Sequence, residues 1–192
     1  MKYLHEILVA FAALFLLSSC SDDVKDARLD FVGDSIVARW DLAEYFPSRL
    51  VYNYGKSGAG IEYLESLAGR FAGRNVVVMI GTNNNYLFVE PDREDYARRY
   101  VDAITALDAK RVYLYSVLPR DFTSDRDDVN DDIAKFNAVV KHIVESMPAI
   151  VYMDVYDDFL HDGKIDFQLY SDKLHLSPYG YEILTKTLLQ EL

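Results

Sequence analysis

Five short runs rich in β-branched and aromatic residues, at 29–32, 50–54, 75–80, 111–117 and 150–155, are separated by longer stretches whose apolar residues recur every three or four positions. The runs read as strands and the intervening stretches as amphipathic helices: Ile61, Leu64, Ala68 and Phe71 form one stripe, Ala97, Val101, Ile104 and Leu107 a second, and Ile133, Phe136, Val140 and Ile143 a third. Strands that alternate with helices in this way make βαβ units, and βαβ units make a parallel sheet with both faces covered. Ser177-Pro178 supplies an N-cap and a first-turn proline for a last helix carrying Tyr181, Leu184 and Leu188. Right-handed crossovers leave few ways to order such a sheet. The simplest is a three-layer α/β/α, flavodoxin-like arrangement of five parallel strands in the order 2-1-3-4-5, with ligands expected beyond the carboxyl ends of the strands.

The residues at those ends are therefore the ones to inspect. The first run stops abruptly at Gly33-Asp34-Ser35 and a helix-like segment follows, which places a serine hydroxyl at a strand-to-helix turn with its backbone N–H free for a ligand. The second run leads into Asn53-Tyr54-Gly55-Lys56-Ser57-Gly58-Ala59-Gly60, where glycines permit close backbone approach. The third ends in Gly81-Thr82-Asn83-Asn84, and the segment before the last helix reads Asp172-Lys173-Leu174-His175-Leu176-Ser177-Pro178-Tyr179-Gly180. Each stretch alone has a plainer reading as a turn, a cap or a surface pair. Together, Ser, Gly, Asn and Asp-x-x-His at successive strand ends supply the parts of an acyl-transfer site.

This ordered set resembles the SGNH hydrolases, also called the GDSL esterase/lipase family, over almost all of residues 28–192, which we read as one hydrolase domain. The resemblance implies that Ser35 is the nucleophile, His175 the general base and Asp172 the residue that orients and stabilises the imidazole. It also implies an oxyanion hole made of the Ser35 and Gly58 backbone N–H groups and the Asn83 side-chain amide. Asn84 stands where the family often has Asp, a change expected to alter local hydrogen bonding and not the donor role of Asn83. Neither a cofactor nor a metal is implied: the glycine loop matches no phosphate-binding pattern, and no His/Cys/carboxylate set beyond Asp-x-x-His has ligand spacing.

Histidine is scarce, and the four present sharpen the choice of base. His5 is in the N-terminal segment, and His142 lies in an amphipathic stretch between Lys141 and Glu145. Asp158-Phe159-Leu160-His161 repeats the spacing of Asp172 and His175, so only the Leu-Ser-Pro-Tyr-Gly continuation favours His175, while His161-Asp162-Gly163 reads as a turn. The Asp-rich stretch 120–132 lacks the Gly and closing Glu of a calcium loop and is expected to be a solvated loop. Trp40 is expected to pack in the core, as are most of the 15 tyrosines.

The first residues are read apart from the fold. Lys2 precedes an apolar run, 7–17, too short for the roughly 20 residues of a membrane span, followed by Leu17-Ser18-Ser19-Cys20. That tetrapeptide resembles the lipobox of bacterial lipoproteins, which implies a signal peptide over 1–19, a lipidated Cys20 and a tether over 20–27. The protein is then expected to be exported and lipid-anchored, with the outer membrane or cell surface favoured by the acidic pair Asp22-Asp23. Cys20 is the only cysteine, so no intramolecular disulfide can form. A net charge of −11 argues against a nucleic-acid partner.

The expected activity is serine ester hydrolysis through an acyl-enzyme. Brief connections offer no long apolar lid, which favours short-chain esters and, by analogy, acetylated glycans. Two alternatives use the same segments: a lysophospholipase or thioesterase acting on longer chains, and an inactive surface module that binds carbohydrate. A flavin or nucleotide binder is disfavoured by the missing phosphate loop. Oligomeric state is not legible.

Overall fold

The computed structural model describes residues 28–192. The expected signal peptide, Cys20 and the tether up to residue 27 lie outside the described residues. Five parallel strands, β1 (Arg28–Gly33), β2 (Leu50–Gly55), β3 (Asn75–Met79), β4 (Arg111–Tyr115) and β5 (Ile150–Met153), form one sheet in the order β2-β1-β3-β4-β5. β3 is central, and β1 is an inner strand, paired in parallel with β2 on one edge and β3 on the other.

The period-2 pattern of the strands builds two separate cores. Val32, Val76, Val78, Val112 and Leu114 face one side. There they meet α3 (Ile61–Glu65), α4 (Arg93–Thr105) and α5 (Val129–Val144). Leu29, Phe31, Val77, Met79, Tyr113 and Tyr115 face the other. They pack against Ile36 and Val37 of α1 (Ser35–Ala38), Leu42 of α2 (Leu42–Tyr45) and Tyr181, Leu184 and Leu188 of α6 (Pro178–Glu191). Phe31, Val32, Val76, Val77 and Val78 have no exposure at all. At about 1.5–3 kcal/mol for each side chain of this size, the inner strands contribute strongly to both cores, and a polar residue at Val78 would disrupt the first core as one at Val77 would disrupt the second. Among the described residues, no helix is long and apolar enough to cross a membrane.

Several local features depart from the periodicity. α1 is a single turn, because Trp40, 2% exposed, turns into the second core and Asp41 caps α2 by accepting from the Glu44 N–H. The stripe 61–71 is helical only to Glu65 and continues as turns. A hairpin, β6 (Leu160–His161) with β7 (Lys164–Ile165), was not foreseen; Asp162 and Gly163, at φ of 51° and 72°, make its turn.

The Asp-rich stretch is a solvated loop only in part: residues 122–124 and 126–128 are exposed, but its other half is built into the fold. α5 begins within it at Val129, and Asp125 and Asp132 are buried in ion pairs. Asp125 meets Arg120 at 2.8 Å, and Asp132 meets Arg93 at 2.9 Å as well as Arg126. α5 also carries two asparagines two turns apart, hence on one face, that act as backbone surrogates. The Asn137 amide accepts from the Val117 N–H at 2.9 Å and donates to the Val117 carbonyl at 2.8 Å. Asn130 does the same for Arg120, with both bonds at 2.9 Å. The chain leaving β4 has no strand partner there, and these side chains satisfy its polar groups.

Candidate active site

Gly33 ends β1 under tight constraint. A Cβ there would lie 2.1 Å from the Met79 carbonyl oxygen and 2.4 Å from Val37 Cγ2, so only glycine lets the chain turn between β3 and α1. Asp34 then caps α1, its Oδ1 accepting from the Ile36 N–H at 2.9 Å. Burial pushes the Asp34 carboxyl up to about 7, against the Ile36, Thr82 and Gly81 backbone N–H groups and the Arg120 charge, which pull it down. Ser35 follows as the first residue of a one-turn helix, 6% exposed. So short a helix has little macrodipole. What remains for an anion is the Ser35 N–H itself, one of the first-turn amides that lack an intrahelical acceptor.

The partner of Ser35 comes from the far end of the chain. His175 Nε2 lies 3.0 Å from Ser35 Oγ, and His175 Nδ1 lies 2.8 Å from Asp172 Oδ2. Asp172 Oδ1 accepts from the Leu174 and His175 N–H groups, both at 2.7 Å, so the carboxylate also shapes its own loop. Burial pushes the Asp172 carboxyl up, but the His175 backbone N–H, the His175 imidazole and the Leu174 N–H outweigh it and hold the group at about 2. Arg39 Nη1 stands 3.9 Å from Asp172 Oδ2.

The loop is held by groups on both sides. Ser171 N–H donates to the His175 carbonyl at 2.8 Å, and Ser177 N–H to the Leu169 carbonyl at 3.0 Å. Ser177 caps α6 through the Gly180 N–H, and the Tyr181 hydroxyl donates to the Ile36 carbonyl at 2.8 Å, next to Ser35. The first turn of α6 is thereby tied to the turn that carries the hydroxyl.

Gly58 and Asn83 come from the two strands flanking β1. Residues 56–59 form a turn closed by the Ala59 N–H on the Lys56 carbonyl at 3.0 Å. Gly58 occupies its third position at φ 74°, as a type II turn requires. Asn83 lies in a 3-10 turn, Thr82–Leu87, and donates one amide hydrogen of Nδ2 to the Ala59 carbonyl at 2.9 Å. The second hydrogen is left for another acceptor. Asn84 Oδ1 accepts from the Ile61 N–H at 3.0 Å, so the residue that differs from the family's frequent Asp still caps the start of α3.

The structure therefore brings Ser35, Asp172 and His175 into one hydrogen-bonded line and links Asn83 to the Gly58 loop. His161 is set apart on the hairpin, its side chain 79% exposed beside Asp162. His142 is 86% exposed on α5. Of the tyrosines near the C-terminus, Tyr170 and Tyr181 are buried, and their hydroxyls bond the Pro119 and Ile36 carbonyls; Tyr179 is 64% exposed. Sequence reasoning missed Arg39, Arg120 and Asp125, because each meets its partner only through the fold. Among the described residues, no group of three or more His, Cys, Asp or Glu side chains is placed to hold a metal. The arrangement can deprotonate a hydroxyl, store the proton on an imidazole beside a carboxylate, and offer backbone and amide N–H groups to a developing oxyanion.

Comparison with known proteins agrees with the fold. No curated protein matches the chain. Among solved structures, a GDSL-like lipase from Bacteroides thetaiotaomicron VPI-5482 superposes with a TM-score of 0.70 at 23% identity, covering 88% of each chain. A lipase/acylhydrolase from Enterococcus faecalis gives 0.66 at 18% identity, over 85% of this chain and 94% of that one. An acetylxylan esterase from Geobacillus stearothermophilus gives 0.59 at 20% identity, over 86% and 93%. At these identities the likeness is one of fold. The family model for GDSL-like lipases and acylhydrolases matches residues 31–183, from the strand that leads into Ser35 to the helix that follows His175, and the chain belongs to that family.

Proposed function

We propose that the protein is a serine ester hydrolase that works through an acyl-enzyme on short-chain esters, and that it deacetylates a carbohydrate. The observation that carries the reading is the line from Ser35 Oγ to His175 Nε2 at 3.0 Å and from His175 Nδ1 to Asp172 Oδ2 at 2.8 Å. In the proposed reaction Ser35 Oγ bonds to the ester carbonyl carbon while its proton passes to His175 Nε2. The carbonyl oxygen becomes an oxyanion that accepts from the Ser35 and Gly58 N–H groups and the second Asn83 amide hydrogen. As the intermediate collapses, the carbon–alkoxide bond breaks and the leaving oxygen takes the proton from Nε2. Water then repeats the sequence on the acyl-enzyme, giving the acid and regenerating Ser35.

The acetyl-carbohydrate part is supported by the fold likeness to the acetylxylan esterase of Geobacillus stearothermophilus. It is supported too by the exposed rings of Tyr86, three residues after Asn83, and Tyr179, four after His175, which offer faces for sugar stacking. On the sequence alone we place the protein at a membrane, exported and anchored through a lipidated Cys20.

Full-length protein purified in detergent should hydrolyse p-nitrophenyl acetate faster than the butyrate and octanoate, and Ser35→Ala should be folded and inactive. Preference for octanoate would move the substrate to longer acyl chains. No turnover on any ester, with Ser35 unreactive towards a fluorophosphonate, would leave a non-catalytic binding module.

A further inference from the structure

The guanidinium of Arg120 is buried, 7% exposed, yet it touches none of the three residues in the hydrogen-bonded line. Its Nη1 donates to the Thr82 carbonyl at 2.6 Å and to Thr82 Oγ1 at 3.1 Å. Its other face is clasped by Asp125, with Nε on Oδ2 and Nη2 on Oδ1, both at 2.8 Å. Its backbone is fixed on both sides by Asn130. The Thr82 carbonyl belongs to the peptide plane that enters Asn83, so Arg120 grips Asn83 from one side while the Ala59 carbonyl holds its amide from the other.

Taking a guanidinium and a carboxylate out of water is expensive, and an apolar pair of similar volume would stabilise the fold as well or better. An arginine offers a rigid fork whose donors keep fixed directions, unlike the flexible ammonium of lysine. Asp125 is held independently of Arg120: its N–H donates to the Phe122 carbonyl at 2.8 Å and its Oδ2 accepts from the Phe122 N–H at 2.7 Å. The fork is therefore set by its own loop and presented to the turn that carries Asn83.

We propose that Arg120, clasped by Asp125, is a positioning residue that holds the Thr82–Asn83 peptide at the depth where the Asn83 amide meets the oxyanion. The inference rests on the ester-hydrolase reading above. Lysine at 120 cannot make the two-point grip on Asp125 while reaching Thr82, so Asn83 is left to drift. Loss of an oxyanion donor lowers kcat by about 10²–10³-fold, and misplacement should forfeit part of that.

The test is kinetics of the full-length protein in detergent on p-nitrophenyl acetate, with inhibition by phenylboronic acid, whose tetrahedral adduct places an oxygen in the same hole. Arg120→Lys should lower kcat by about 10–100-fold with KM within about threefold, and weaken the boronate by a similar factor. In an Asn83→Ala background it should do little further harm, since two changes acting through one group are not additive. Asp125→Asn, isosteric and neutral, should lower kcat in the same direction by a smaller factor, and it decides the matter if Arg120→Lys does not fold. An unchanged kcat, a rise confined to KM, or full additivity with Asn83→Ala would overturn the assignment, as would failure of both variants to fold, which would make the pair purely structural. If wild type hydrolyses the ester and Ser35→Ala does not, any such result counts against Arg120 alone. An inactive wild type removes the hydrolase reading and this one with it.

Discussion

Asp172→Asn separates two functions of one carboxylate. Oδ1 of Asp172 accepts from two backbone N–H groups at 2.7 Å, while Oδ2 faces His175 Nδ1. An asparagine at 172 must keep its oxygen on the two backbone donors, because turning the amide over would set its NH₂ against them. The NH₂ therefore faces Nδ1 and forces the imidazole proton onto Nε2, where it donates to Ser35 and cannot take the hydroxyl proton. The lost ion pair contributes about 1 kcal/mol in bulk water and about 4 kcal/mol at an effective dielectric of 20, for charges ~4 Å apart. Asp172 is half-exposed, so about 2 kcal/mol is the fitting share, and the tautomer penalty adds about 2 kcal/mol more. The sum, about 4 kcal/mol, is a ~10³-fold fall in kcat. Asp172→Ala loses the charge and loosens the loop but leaves the tautomer free, so it should fall only ~10²-fold. Steady-state hydrolysis of p-nitrophenyl acetate by both variants, with folding checked by circular dichroism, ranks them. If the asparagine variant is as active as the alanine variant, or within tenfold of wild type, the tautomer argument is wrong.

Two further outcomes follow from the same geometry. His175→Ala should lose at least ~10³-fold in kcat while His161→Ala stays near wild type, since of these two only His175 reaches Ser35; equal losses on p-nitrophenyl acetate would unseat His175 as the base. Asp34, raised from 3.8 to about 7, keeps its proton in the folded state while the unfolded chain sheds it between about pH 4 and 7, so stability drains away as pH rises through that window, by up to about 4 kcal/mol. Asp34→Asn cannot ionise, so melting curves at pH 5 and 8 should show wild type losing several degrees more than the variant; parallel losses would mean Asp34 does not titrate there.

The sheet was legible because its signal is local. Each strand alternates between two buried faces, and Val76, Val77 and Val78 could serve no other environment. The hydrogen-bonded line was legible for a different reason: Asp172 and His175 lie three residues apart in one loop, and Ser35 stands where a strand turns sharply into a helix. What escaped the sequence were pairings that no helix or strand period marks, whether five residues apart, as Arg120 and Asp125, or 39, as Arg93 and Asp132. Asp125 and Asp132 look like solvent-facing charges until Arg120 and Arg93 are seen to neutralise them. Asn130 and Asn137 look like ordinary helix-surface residues until the chain leaving β4 is laid across them. The β6–β7 hairpin was missed because two-residue strands carry no periodicity.

The hydroxyl and its base are anchored in unequal ways. Ser35 stands at the end of β1, hydrogen-bonded along both edges. His175 stands on a loop with no sheet edge of its own, held by the Tyr170 hydroxyl on Pro119, Lys173 on Asp121 and the Tyr181 hydroxyl on Ile36. Regions of a fold open at different free energies, and loops fastened by a few side-chain bonds open first. The loop 171–176 is thus the part of the site expected to open first, since the sheet on one side and α6 on the other are both locked in the second core. Inactivation by heat or denaturant should run ahead of global unfolding and reverse on return to mild conditions, so working lifetime is set by how well that short loop stays docked.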